Sequence, residues 1–120
     1  MSANKFDFLA HLERQRKFSV HTFGPGARSQ GIVDHIRKEL IEVLAAPSDL
    51  FEWIDVVILA LDGAWRSGAE PQQIIDALVE KQTKNESRQW PDWQFADFPD
   101  GLQPYRWSRT WKDPCMKGNW

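Results

Sequence analysis

One run of seventeen residues, Leu50-Phe51-Glu52-Trp53-Ile54-Asp55-Val56-Val57-Ile58-Leu59-Ala60-Leu61-Asp62-Gly63-Ala64-Trp65-Arg66, does most to limit what this chain can fold into. Apolar side chains fall nearly all the way round it at helical period, so it reads as a helix through the middle of a fold rather than over its surface. It nevertheless carries Glu52, Asp55 and Asp62. An ionised carboxylate in apolar surroundings is costly unless it is paired, hydrogen-bonded or bound to a metal. The three acids therefore need a physical cause.

Their spacing suggests one. Glu52 and Asp55 are three apart and Asp62 follows seven after Asp55, so the three share one stripe of the helix. The preceding stretch, Asp34 to Leu44, offers a matching pair in Glu39 and Glu42. Only Ala45-Ala46-Pro47-Ser48-Asp49 separates the two helices. A turn that short makes antiparallel neighbours, and two Glu-x-x-acid pairs then face each other across one seam. Four carboxylates so placed repel one another, and divalent cations reverse the sign of that interaction. An all-oxygen set of Glu39, Glu42, Glu52 and Asp55 suits Mg²⁺, with Mn²⁺ able to substitute, rather than zinc.

At 120 residues the chain is one domain, of a size at which a helical bundle often completes itself by pairing. A formal charge of −2 and a pI near 5.9 give no basic footprint for a nucleic-acid polymer. Cys115 is the single cysteine, which excludes a disulfide framework and points to a reducing cytoplasm. No signal peptide opens the chain, and acids interrupt the one long apolar run, so no membrane span is expected.

Taken in order, Asn4 to Lys17 predicts a packing helix with Phe6, Leu9 and Leu12 on one side. A loop is expected from Phe18 through Gly24-Pro25-Gly26 to Gly31. Loop geometry alone accounts for those glycines, but Arg28 has the reach to meet a phosphate or a base edge. Helix two, about Gln30 to Ala46, sets Val33, Ile36, Leu40, Val43 and Leu44 toward the core. His35 stands one turn before Glu39, placed either to orient that carboxylate or to make a local hydrogen bond. Asp49 and Glu52 fit a helix-capping pattern, which competes with a metal role for Glu52. Capping accounts for neither Asp55 nor Asp62.

Gly68 closes helix three and Glu70-Pro71 opens helix four. Ile74, Ile75, Leu78 and Val79 give way to Lys81, Lys84, Asn85 and Arg88, so one face turns from apolar to cationic. Cations near a helix C-terminus often only complement its dipole. Beside a carboxylate and metal cluster they also supply the donors a polyphosphate needs. Beyond Arg88, prolines at 91, 99, 104 and 114 forbid a long helix. Five of the seven tryptophans lie in the last 31 residues, which reads as an aromatic arm over 94–120, packed on the domain 1–93 or on a partner subunit. Trp90, Trp93 and Phe23 are the candidates to stack on a nucleobase.

These strings resemble a family. Glu39-x-x-Glu42, then Glu52-x-x-Asp55, then a Lys/Asn/Arg cluster is similar to the MazG-like all-α nucleoside triphosphate pyrophosphohydrolases. Phe23-Gly24-Pro25-Gly26-Ala27-Arg28, Asp34 to Leu40, Glu52 to Arg66 and Lys84-Asn85-Glu86-x-Arg88-x-Trp90-Pro91 resemble its phage and bacterial dATP/dGTP pyrophosphohydrolase (MazZ-like) group. The likeness covers about Phe18 to Trp93, and a gap of nine residues between the acidic pairs departs from longer ones common in the superfamily.

The resemblance implies a four-to-five-helix bundle completed by oligomerisation, as a homodimer or homotetramer. It implies cleavage of dGTP and dATP between the α- and β-phosphates, with two or three Mg²⁺ ions per site. Glu39 or Glu42 would serve as general base, Lys81, Lys84, Asn85 and Arg88 would steady the phosphates, and Asp62 would act behind the ligands or on the ribose. In a phage that replaces adenine by 2-aminoadenine, such an enzyme would supply dGMP. The rival reading is a non-catalytic helical oligomerisation and partner-binding module, whose acids serve as specificity charges.

Overall fold

The computed structural model describes residues 5–90, and all four elements within them are α-helices: α1 (Phe8–Phe23), α2 (Ser29–Ala45), α3 (Leu50–Arg66) and α4 (Pro71–Ser87). The all-α expectation holds, with no strand among the described residues. The aromatic arm and Trp93 lie outside them. The chain divides into two compact units, Met1–Ala77 and Leu78–Trp120, so α4 begins in the first and ends in the second.

Each boundary has a local cause. Asp7 caps α1, its carboxylate accepting from the Ala10 amide at 3.0 Å. α1 then continues through Phe18–Phe23, which the sequence reading took for loop. Nothing from Lys17 to Phe23 breaks a helix, and buried Ser19 keeps the last turns docked, so the loop shrinks to the residues between Phe23 and Ser29. Asp49 caps α3 by accepting from the Phe51 amide at 3.0 Å, and the Gly68 amide closes it on the Trp65 carbonyl at 3.0 Å. Pro71 opens α4 where no amide partner is needed, while Gln73 Oε1 accepts from the Glu70 amide at 2.7 Å.

In the first unit α3 is the shared element, packed along α2 and also against α1. Gly63 marks how close α2 comes: a Cβ there would sit 3.6 Å from the Ile32 side chain. Leu12, Ile32, Val43 and Ile74 form the buried apolar core. Each contributes roughly 1.5–3 kcal/mol by leaving water.

Two expectations about burial do not hold in the structure. On α2 the buried residues are Ile32, Glu39 and Val43, whereas Val33, Leu40 and Leu44 are exposed, so the inward face is rotated from the predicted one. On α3 the buried residues are Asp62 and Arg66, while Trp53, Ile54, Val57 and Ile58 are each 38 to 49% exposed. Among the described helices, α1 and α2 are the ones packed against α3, which leaves that apolar side of it uncovered by them. None of the described helices is long and apolar enough to cross a membrane.

Candidate functional site

The antiparallel pair α2 and α3 brings three carboxylates together. One oxygen from each of Glu39, Glu52 and Asp55 lies within 4.8 Å of the other two. Glu39 is buried on α2, Glu52 is half-buried in the first turn of α3, and Asp55 one turn later is exposed, so the cluster runs from the helix interface to solvent. His35 Nε2 lies 3.2 Å from Glu39 Oε1 and fixes that side chain from one turn away. Glu42, the fourth acid of the predicted set, contributes no oxygen to the trio. It faces Lys38 Nζ at 3.9 Å but remains near enough for its charge to act on Glu52.

Glu52 shows what the cluster lacks. Burial first, then the charges of Glu42, Asp49, Asp55 and Glu39, raise its pKa above the ordinary glutamate range. Its Oε2 is buried and accepts no hydrogen bond among the described residues. The capping alternative fails here, since the Asp49 amide, which a capping-box glutamate would bind, donates instead to the Ala46 carbonyl at 3.0 Å. A buried oxygen without a donor, in a group of acids that repel it, is the pattern a cation satisfies. Three carboxylates at this spacing fit a divalent metal, and their hard oxygen chemistry matches the predicted class.

Asp62 stands apart from that trio. Its Oδ2 accepts from Arg66 Nε at 3.0 Å, and both side chains are at least nine-tenths buried. Its position on the acidic stripe does not make it a member of the metal cluster. Arg28 precedes α2 and stacks on Phe23, with its guanidinium carbon 5.2 Å from the ring centroid; Phe18 meets the same ring edge-on at 6.5 Å. Both phenylalanines are exposed.

In the second unit Lys81, Asn85 and Arg88 are half-buried and Lys84 is exposed. Arg88 lies over the Trp90 ring at 4.8 Å, and Trp90 Nε1 donates to the Asn85 carbonyl. Asn85 Oδ1 is buried and accepts no hydrogen bond among the described residues.

The family model described as dATP/dGTP pyrophosphohydrolase matches residues 11–103. The chain belongs to the dATP/dGTP pyrophosphohydrolase family. Over 48 residues it is also 42% identical to the Eaa protein of Salmonella phage P22, a match covering 40% of this chain and 15% of that relative. The chain thus spans far less than the full length of the curated relative it matches. No solved structure matches it. The pyrophosphohydrolase match begins in α1 and takes in α2, α3 and α4 whole, so the carboxylate cluster lies inside it.

Within this pyrophosphohydrolase domain the sequence reading missed Arg66 and Ser19. Arg66 was read only as the end of α3 and Ser19 only as loop. An Asp at 62 and an Arg at 66 form an (i, i+4) pair on an otherwise apolar helix, and that spacing was the available signal. Ser19 carried none, because its role depends on α1 continuing past Lys17.

Proposed function

We propose that this chain hydrolyses purine deoxynucleoside triphosphates, dGTP and dATP, to the monophosphate and pyrophosphate. The observation that carries the reading is the convergence of Glu39, Glu52 and Asp55 oxygens within 4.8 Å, inside a domain of the dATP/dGTP pyrophosphohydrolase family. Glu39, Glu52 and Asp55 would hold Mg²⁺ or Mn²⁺, in two or three ions with Glu42 recruited. Bound there, such ions supply charge neutralisation of the phosphates and an acidified water.

The residues do the rest. His35 keeps Glu39 aimed at the cluster. Glu39 or Glu42 takes the proton of the attacking water, and Glu42 is favoured because it stands beside the trio without an oxygen in it. Lys81, Lys84, Asn85 and Arg88 are proposed, on their chemistry alone, as donors to the β- and γ-phosphates. Phe23 and Arg28 are proposed to meet the purine; Trp90 and Trp93 are candidates for the same role on their chemistry alone. The exposed apolar residues of α2 and α3 support self-association into a homodimer or homotetramer. The setting proposed for this activity is phage nucleotide metabolism in the host cytoplasm, with dGMP feeding a 2-aminoadenine pathway; the partial match to a phage protein is consistent with a phage origin and carries no more than that.

The test is to incubate the protein with each common dNTP and NTP and Mg²⁺, and to resolve the products by anion exchange. Monophosphate with pyrophosphate, strongest for dGTP and dATP, is the expected result. Diphosphate with orthophosphate would overturn the bond assignment. No product from any nucleotide, with metal bound, would favour the non-catalytic interaction module, to which the exposed apolar face is equally suited.

A further inference from the structure

Arg66 is buried and fully engaged. Its side chain is 1% exposed, and all five of its N–H groups find acceptors. Nε donates to Asp62 Oδ2 at 3.0 Å, Nη1 to the carbonyls of Gly24 and Gly26 at 2.9 and 2.8 Å, and Nη2 to Ser19 Oγ at 2.7 Å and Ser19 O at 3.3 Å. The Trp65 ring lies under the guanidinium, 4.5 Å from its centre. One residue at the end of α3 thus holds the last turns of α1 and the loop that leads into α2. The two loop carbonyls can point at the same guanidinium because Gly24 and Gly26 take φ of 84° and 96°, a region open to glycine.

What that loop delivers is Arg28. The residue sits where the loop ends, its side chain lying between the Phe23 ring and the first turn of α2. Arg28 precedes Glu39 by eleven residues, so along α2 the two are separated by about 16 Å. A substrate held by the carboxylates and extended along α2 would bring its nucleoside end within reach of Arg28, where a guanidinium can stack on a purine or donate to its N7 and O6 edge.

We infer that Arg66 is a positioning residue, whose five-fold grip on Ser19, Gly24, Gly26 and Asp62 sets the Phe23 and Arg28 pair for the purine. The inference rests on the proposed nucleotide hydrolysis and deepens it. A lysine cannot replace the fork, since a single ammonium has three donors and no plane.

The test measures steady-state kinetics of dGTP hydrolysis with saturating Mg²⁺ for the wild type, Arg66→Lys, Ser19→Ala, Arg28→Ala and the double variant Ser19→Ala/Arg28→Ala. Ser19→Ala removes one acceptor and keeps the fold testable should Arg66→Lys not fold. The expected result is a rise in KM on the order of 10-fold for each folded single variant, with kcat within about twofold, as displacement of a substrate-orienting group predicts. Adding Ser19→Ala to Arg28→Ala should raise KM by clearly less than the product of the two single effects, because Ser19, through Arg66, acts on the purine largely by placing Arg28. A merely structural role would instead give additive effects or a loss of kcat in proportion to unfolded protein. Unchanged KM in folded Ser19→Ala, beside an active wild type, overturns this inference alone. No turnover by the wild type overturns it together with the proposed function.

Discussion

His35 Nε2 lies 3.2 Å from Glu39 Oε1, so a half-exposed imidazole on α2 holds a carboxylate whose side chain is only 9% exposed. The contact is local, one helical turn, yet it orients the most buried of the three converging acids. Partners of this kind set the direction of metal ligands.

Removing that partner should therefore be felt at the cluster. His35→Ala is expected to weaken Mn²⁺ binding by roughly 10- to 100-fold, with helicity unchanged, as read by isothermal titration and circular dichroism. Equal Mn²⁺ affinity in the variant would make the contact a surface hydrogen bond only.

The metal-free protein should lose stability as pH rises past the ordinary glutamate range. Burial and then neighbouring acids raise the Glu52 pKa in the folded state. The fold thus binds more protons than the unfolded chain between the ordinary and the raised value, and stability falls with pH across that window. Thermal melts in a chelator from mildly acidic to neutral pH check this. Glu52→Gln should flatten the profile and raise the neutral-pH Tm, since the neutral amide removes the repulsion.

Asp62→Asn should behave oppositely. Asp62 is the counter-ion of a buried guanidinium stacked on the Trp65 ring, and removing one partner of a buried ion pair typically costs about 3–5 kcal/mol. Urea unfolding should show a loss of that size, whereas Mn²⁺ binding by the protein that remains folded should persist. A variant of unchanged stability that no longer binds metal would place Asp62 in the ligand set.

Self-association should depend on the apolar face of α3. Val57 is 48% exposed and Ile54 38% exposed beside Trp53 and Ile58. Val57→Lys is expected to shift the protein toward the monomer in sedimentation velocity while leaving its helicity intact. An unchanged oligomer would move the interface elsewhere.

The limits of reading this chain from sequence follow from the physics of its parts. α3 was legible from Leu50 to Arg66 because a capping Asp49, an apolar run and Gly68 mark it without ambiguity. The Glu39, Glu52 and Asp55 cluster was legible because a short turn between two helices leaves little freedom in their pairing. The end of α1 was not, since Lys17 to Phe23 are as acceptable in a loop as in a helix until Arg66 is there to bind Ser19. The inward face of α2 was misread for a similar reason. Leu40 and Leu44 are apolar by sequence and exposed, and an exposed apolar stripe has the same periodicity as a core-facing one.

The most direct test of the account is Mn²⁺ binding, by isothermal titration with electron paramagnetic resonance of the bound ion, to the wild type and to Asp55→Asn. Asp55 is exposed, so its replacement leaves the fold intact and takes one oxygen from the trio. Saturable Mn²⁺ binding by the wild type, lost or severely weakened in Asp55→Asn at unchanged helicity, is the expected result. Equal binding by the two proteins, or none by the wild type, would contradict a metal site built on Glu39, Glu52 and Asp55.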